Sequence, residues 1–497
     1  MKLKERLVIG VMAGLVVMTV VLVLDVETGI TMGGRPRTPT HARVQYSFRQ
    51  RHLQKTNNGS REASLAAVAS AQLNAAVEGP DNLVAVGSKG RREGNVTSAA
   101  PSDRYDDLME AVLKIHNVSK ASRKSRKHWN PTLKELLSVD LRDNATLWDK
   151  FHLSISRDEL YAADDPAINK LLEQVKTLQI NHITQKEGGT QLKLLIEFSN
   201  GGHALFKPMR FPREQQTMKN HFYFTDYERH NAEIAAFHLD RLLGFRRAAP
   251  VAGRTVNMTR ELYALAQGDL LKTFFISPDG NLCFHGKCSY YCDTGHAICG
   301  NPDLLEGSFA VFLPAKELAP RKVWRHPWRR SYHKRRKAQW ELDDDYCQLV
   351  KEVHPYNEGR RLLDIMDMSI LDFLIGNMDR HHYETFKVFG NRTAPIHLDN
   401  GRGFGKPFHD EVSILAPLYQ CCQIRHSTLS TLLRFHSGPM HLSEAMRVSM
   451  SVDAAAPVLW EPHLVALDRR LSIILQTVRE CVDKTMDPMA VIVNDHH

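Results

Sequence analysis

The chain has 497 residues, 43% hydrophobic and 24% charged. That excludes a chain disordered throughout and leaves room for one large two-lobed domain plus an extension. The formal net charge is +9 and the pI about 9.0, which suits nucleic acid, anionic membrane or acidic protein, and composition alone does not choose among them.

Lys2, Lys4 and Arg6 precede an apolar run from Leu7 to Leu24. Eighteen helical residues span roughly 27 Å, about the thickness of a bilayer core. Asp25 and Glu27 follow the run, so the positive-inside rule makes residues 1–6 a cytosolic tail and the remainder lumenal. Residues 7–24 read as an uncleaved signal-anchor; the alternative, a cleaved signal peptide, has no clear small-x-small site after the run. Six sequons, at Asn58, Asn95, Asn117, Asn144, Asn257 and Asn391, support a lumenal body. So do eight cysteines, none of them before Cys283. An even count in a lumenal chain reads as disulfides, and the spacing from Cys283 to Cys299 is not a usual zinc-ribbon pattern.

Residues 25–128 are rich in Ser, Ala, Asn, Gly, Arg and Lys and read as a disordered lumenal stem. Lys120 to Lys127 is a basic cluster within it, either a processing site or a solvated linker. Order begins near Trp129. Thr132–Leu147 and Ala167–Ile180 show apolar residues at helical spacing. Gln191–Phe198 and His203–Phe206 alternate around the turn Asn200-Gly201-Gly202 and predict a hairpin. A helix follows from Arg229 to Leu243. The order of parts assigns 129–300 to a helical extension and a small β-rich lobe, and 301–490 to a larger, mostly helical lobe.

Phosphoryl transfer needs a phosphate cradle, a cation on the nucleotide, a metal-holding acid and an acid that orients the nucleophile. Gly188-Gly189-Thr190-Gln191 is a candidate cradle, or a plain turn. Lys207 ends an apolar strand and is the candidate cation, or a lysine snorkelling off an edge. Glu228 and Glu233 open the next helix, where acids also favour the dipole. Read as helical, they lie about 140° apart and take different jobs, one pairing Lys207 and the other reaching the metal. Asp379 and Glu384 fall in a polar stretch after the buried helix Leu362–Ile375. Twenty residues beyond Asp379, an apolar strand delivers Asp399 into the turn Asp399-Asn400-Gly401, which resembles the metal-holding Asp-Phe-Gly of kinases.

The stretches Lys-Glu-Gly-Gly-Thr-Gln-Leu-Lys, Glu-Arg-His-Asn-Ala-Glu-Ile-Ala-Ala-Phe-His-Leu-Asp, Gly-Asn-Met-Asp-Arg-His-His-Tyr-Glu-Thr-Phe and His-Leu-Asp-Asn-Gly-Arg-Gly-Phe-Gly resemble the secretory-pathway kinases of the "family with sequence similarity twenty", over about residues 130–485. The resemblance implies an atypical protein-kinase-like α+β fold in two lobes, bridged by disulfides. It implies ATP with Mn²⁺ or Mg²⁺ as cofactors and work in the Golgi lumen or after secretion. By motif, Gln191 and Lys207 contact ATP. Glu228 and Asp399 hold the metal, Glu233 supports the lysine, Asp379 is the catalytic acid/base and Glu384 contacts the nucleotide–metal unit. Ala310, Val311, Phe312 and Leu313 resemble the hinge that receives adenine. The implied pairing is Cys283–Cys299, Cys288–Cys292, Cys347–Cys421 and Cys422–Cys481.

Three branches of that family differ. A pseudokinase branch has Gln at the Glu228 position, which this chain does not. The others are a proteoglycan xylose kinase and a Golgi casein kinase that favours Ser two residues before Glu. Lys-Thr-Phe-Phe-Ile-Ser-Pro, Cys-Ser-Tyr-Tyr-Cys and Trp-Arg-Arg-Ser-Tyr-His-Lys-Arg-Arg-Lys resemble the casein-kinase branch most. Arg329, Arg330, Lys334, Arg335, Arg336 and Lys337 supply cations for an acidic peptide, or form a solvated loop. The expected partners are secreted acidic proteins, a second copy or a pseudokinase paralogue, and the Golgi membrane as a type II anchor; nucleic acid is not expected.

Overall fold

The computed structural model describes residues 103–122, 129–219 and 222–495. The tail, the apolar run and most of the stem lie outside them, with the sequons at Asn58 and Asn95. Among the described residues no helix is long and apolar enough to cross a membrane. The stem expectation needs correction at its C-terminal end. Asp106–Ser122 is a helix, α1. Leu108, Val112 and Ile115 form a buried stripe along it, at the i, i+4, i+7 spacing of one helix face. The Val112 carbonyl bonds the His426 ring at 2.9 Å, and the Tyr105 hydroxyl donates to the Ser472 carbonyl at 2.9 Å. A polar, Lys- and Ser-rich surrounding hides that stripe in the sequence.

The expected helix over Thr132–Leu147 divides into Leu133–Leu137 and α2, Leu147–Ser154. Thr146 is the reason. Its hydroxyl accepts from the Asp149 amide and the Asp149 carboxylate accepts back from the Thr146 amide, a reciprocal cap that starts a new helix. Next come α3, Pro166–Thr177, then β1, Ile180–Gln185, β2, Leu194–Phe198, and β3, His203–Pro208. The β2–β3 turn requires its glycines. Gly201 has φ 77°, and a Cβ on Gly202 would sit 2.5 Å from the Trp148 ring.

Helix α4 spans His230–Leu242 and strand β4 Val251–Asn257. The lobe boundary at 300/301 also needs correction, because Leu304–Val311 is a strand, β5. It lies between β3 and β4 in an antiparallel sheet of order β1-β2-β3-β5-β4. Leu305, Phe309 and Val311 face inward at alternating positions, and the Phe309 and Phe206 rings pack 4.7 Å apart. The small lobe therefore runs through Val311. The disulfide-rich segment between β4 and β5 separates β5 from its sheet in sequence.

The larger lobe is built around α5, Arg361–Ile375, whose apolar side chains are all buried except Leu363. A ribbon of β6, Arg321–Arg325, and β7, His382–Phe386, flanks it. Helices α6, His426–Ser437, α7, Leu442–Met450, and α8, Glu461–Thr485, complete the lobe. Its C-terminal part reaches back over the small lobe. Ser449 bonds His238 on α4 at 2.8 Å, Asn231 donates to the Val458 carbonyl at 3.1 Å, and the Gly253 amide donates to Asp453 at 3.0 Å. With the sheet on one side and this segment on another, every residue of α4 except Arg241 is buried.

Four disulfides join Cys283–Cys299, Cys288–Cys292, Cys347–Cys421 and Cys422–Cys481, the pairing the resemblance implies. Cys347–Cys421 closes a 74-residue separation and Cys422–Cys481 one of 59; loops that long make a crosslink most effective against the unfolded chain. Asn117, Asn144 and Asn391 are exposed, while Asn257 is half-buried and its side chain accepts from the Arg260 amide.

Candidate active site between the lobes

A cavity of about 390 Å³ opens between the lobes. Its roof and back are apolar: Leu205 on β3, Ala249, Val251 on β4, and Ala310 to Leu313 at the end of β5, with Leu398 below. An adenine-sized aromatic fits such a lining. The helical extension secures the linker between the lobes, since the His152 ring bonds the Phe312 carbonyl at 2.8 Å.

At the inner end lies a charge cluster. Lys207 Nζ is 2.6 Å from Glu233 Oε1 and 2.8 Å from Glu228 Oε2. The expected separation of about 140° between the two glutamates is therefore corrected. Glu228 precedes α4, whose cap is Arg229, so helical spacing does not separate it from Glu233. Both carboxylates converge on the lysine. Burial opposes charge on Lys207, but Glu228 and Glu233 outweigh it and raise its pKa. Burial likewise opposes ionisation of Glu228, yet Lys207, Lys193 and Arg402 hold its carboxyl down at about 2.

Gln191 is buried and occupies a different place from the one expected of it. Its amide nitrogen donates to the Asp226 carbonyl at 2.8 Å and its oxygen accepts from the Glu228 amide at 3.0 Å. It does not line the cavity; it holds the backbone that presents Glu228. Gly188 and Gly189, with φ of 80° and 82°, do line it, in conformations that only glycine adopts without strain.

Asp399 faces the cavity from below, exposed, with φ 57°. Its Oδ1 lies 3.7 Å from Lys193 Nζ. Two residues on, a Cβ at Gly401 would come within 3.2 Å of Glu228 Cβ and of Glu233 Oε1, and 3.3 Å of Lys207 Nζ. A side chain here would crowd that cluster, so glycine lets the Asp399 loop run close against it. Among the described residues no three His, Cys, Asp or Glu side chains already form a metal cluster. Glu228 and Asp399 offer hard carboxylate oxygens beside the Gly401 cradle, a donor set that fits Mn²⁺ or Mg²⁺ when phosphate oxygens complete the shell. Glu384 lines the cavity on β7, 3.0 Å from Arg321 Nε.

Asp379 follows α5. Its amide donates to the Asn377 side chain at 3.0 Å. His381 Nδ1 lies 2.5 Å from Asp379 Oδ1, and Arg402 Nη1 contacts Oδ2. Sequence reasoning missed three residues here. Arg380 grips Asp372 with two bonds of 2.8 Å and reaches Asn400 Oδ1 at 2.9 Å and the Leu398 carbonyl. It thus ties the Asp379 loop to the Asp399 loop; losing one partner of such a buried pair costs ~3–5 kcal/mol. Arg402 bridges Asp379 to Thr190 Oγ1, 3.1 Å away. Lys193 is the third. All three stand inside the quoted motifs, but those motifs point to their acids, glycines and glutamine, and nothing local shows what these cations reach.

Burial, with Arg329, Arg330 and Arg380 nearby, pushes His381 down to about 4. It is neutral near pH 7, and its Nδ1 bonds the Asp379 backbone carbonyl at 3.0 Å. A histidine with a depressed folded-state value contributes its full stability above about pH 6.5 and loses it as pH falls towards 4. An NMR titration of the imidazole should give a midpoint near 4; a midpoint at 6.5 would contradict this environment.

A gripped lysine, two acid-bearing loops and an apolar slot at a two-lobe boundary define a protein-kinase-like phosphotransferase. The comparisons narrow the class. A family model described as "Golgi casein kinase, C-terminal, Fam20" matches residues 146–489, and the chain belongs to the Fam20 family. An extracellular serine/threonine protein of Drosophila melanogaster is 56% identical, covering 97% of this chain and 96% of the relative. The human extracellular serine/threonine protein kinase of the family is 59% identical over 69% of this chain and 59% of its own length. The crystal structure of the Golgi casein kinase with Mn/ADP bound superposes with a TM-score of 0.72 at 42% identity, covering 82% of this chain and 96% of that one.

Proposed function

We propose that this protein transfers the γ-phosphoryl of ATP to serine in secreted, acidic proteins, with Glu two residues after the acceptor. The observation that carries the reading is Lys207 held by two carboxylates at 2.6 and 2.8 Å, in the cavity that Asp399 faces, with Asp379 on the adjoining loop that Arg380 ties to Leu398 and Asn400. ATP and Mn²⁺ or Mg²⁺ are the cofactors. The cation, when bound, neutralises charge on the transferring phosphoryl group. Lys207 holds phosphate oxygens, and Glu228 and Asp399 would ligate the cation. One Asp379 carboxylate oxygen accepts the serine proton as the serine oxygen forms its bond to phosphorus; the bond to ADP breaks and its electron pair leaves with ADP. Arg402 orients that carboxylate, and His381 fixes the Asp379 backbone through its carbonyl. The enzyme works in the Golgi lumen, anchored by residues 7–24 or released from them, as a homodimer or paired with a pseudokinase paralogue.

One assay separates this reading from its rival. With labelled ATP and Mn²⁺, the purified protein is offered casein and a galactose–xylose disaccharide. Label enters casein. Label in the disaccharide alone makes it a xylose kinase, and label in neither leaves an activator of a paralogous kinase.

A further inference from the structure

Next to the Asp379 loop lies a second cavity of about 300 Å³. Met378 and Arg402 form its wall towards the catalytic loop, and the basic segment 330–337 its outer wall. That segment is fixed in place. The Tyr223 hydroxyl donates to the Ser331 carbonyl at 2.6 Å, and Trp340 Nε1 donates to the Arg329 carbonyl at 2.9 Å. Tyr332 stacks flat on the His381 ring, centroids 4.3 Å apart. The cations are thereby carried at a set reach from the catalytic carboxylate.

The charges in this cavity do not balance. Its two acids are engaged: Asp226 accepts from Thr217, Tyr227 and Arg229, and Glu341 from the Ala338 amide. Arg330 is occupied too, donating to Ser413 at 2.7 Å. Among the described residues, however, Lys334, Arg336, Lys337 and Lys406 make no ion pair. Lys406 is half-buried in the cavity, and its carbonyl is fixed by the buried Arg470 at 2.8 Å. Four cations without an ion pair around one cavity make it a favourable place for an anionic side chain.

We propose that this cavity is the subsite for the acidic side chain that follows the acceptor serine, with Lys406, Arg336 and Lys337 as its contacts and Arg330 as scaffold. The inference rests on the protein-kinase reading above. It narrows the basic segment from a diffuse cationic surface to one pocket, and adds Lys406, from the Asp399 side, to it.

The test uses the intact lumenal protein and two peptides of one serine each, with Glu or with Gln two residues after it. The wild type prefers the Glu peptide in kcat/KM, and Lys406→Met combined with Arg336→Gln and Lys337→Gln lowers that preference about tenfold. The exposed change Arg336→Glu, which disturbs no packing, reverses its direction. A preference unchanged in both variants overturns the subsite. So does a wild type that labels casein but does not distinguish the peptides, and then the kinase reading stands. A wild type that labels neither casein nor peptide removes the kinase reading itself.

Discussion

Asp399→Ala lowers casein phosphorylation by at least about 10³-fold, the scale of losing a principal electrostatic contact to the transferring group. The backbone at this position needs a control, because φ is 57° and alanine tolerates the left-handed region less well than aspartate. Asp399→Asn supplies it: asparagine accepts that backbone and removes only the charge. Both variants fold, lose activity alike, and bind nucleotide no more tightly when Mn²⁺ is added, whereas the wild type gains affinity. An Asn variant that keeps a tenth of the activity would show that this carboxylate does not hold the cation.

Asp379→Asn should fall by 10²–10⁴-fold in kcat, the usual worth of a positioned proton acceptor, with KM for ATP within about twofold. The amide keeps the shape, and the His381 bond to the backbone carbonyl is untouched, but it cannot take up the serine proton. The split between the two aspartates is the diagnostic: Asp399 variants lose metal-dependent nucleotide binding, Asp379 variants keep it. If kcat stays within tenfold of wild type, the proton goes elsewhere.

Much of this site was legible because its residues sit in contiguous motifs with local punctuation. Lys207 ends an apolar strand, Asp379 follows a buried helix, and Asp399 enters a glycine turn. The adenine slot was legible for the same reason, as Ala310 to Leu313 form one apolar run. Contacts made by long side chains across the fold were not. Arg402 reaches Thr190 across 212 positions of sequence, and a single chain offers no periodicity from which to read that. Gln191 was placed on ATP because its motif pointed there; its two hydrogen bonds to backbone appear only once the segment 226–228 is brought alongside. The glutamate pair failed differently. A helical angle was applied to Glu228, one residue before the helix cap, and helix ends are where sequence reasoning is least secure. The strand Leu304–Val311 and helix α1 were misplaced because a disulfide-rich insertion and a polar linker masked their patterning.

The near-complete burial of α4 has a consequence for control. In many kinases the equivalent helix rocks outward, and activation consists of bringing its glutamate back to the lysine. Here such a movement would strip His238 from Ser449 and Asn231 from Val458 and open an interior with no solvent-facing surface to replace it. A helix so enclosed keeps its glutamate against the lysine without help from an outside signal.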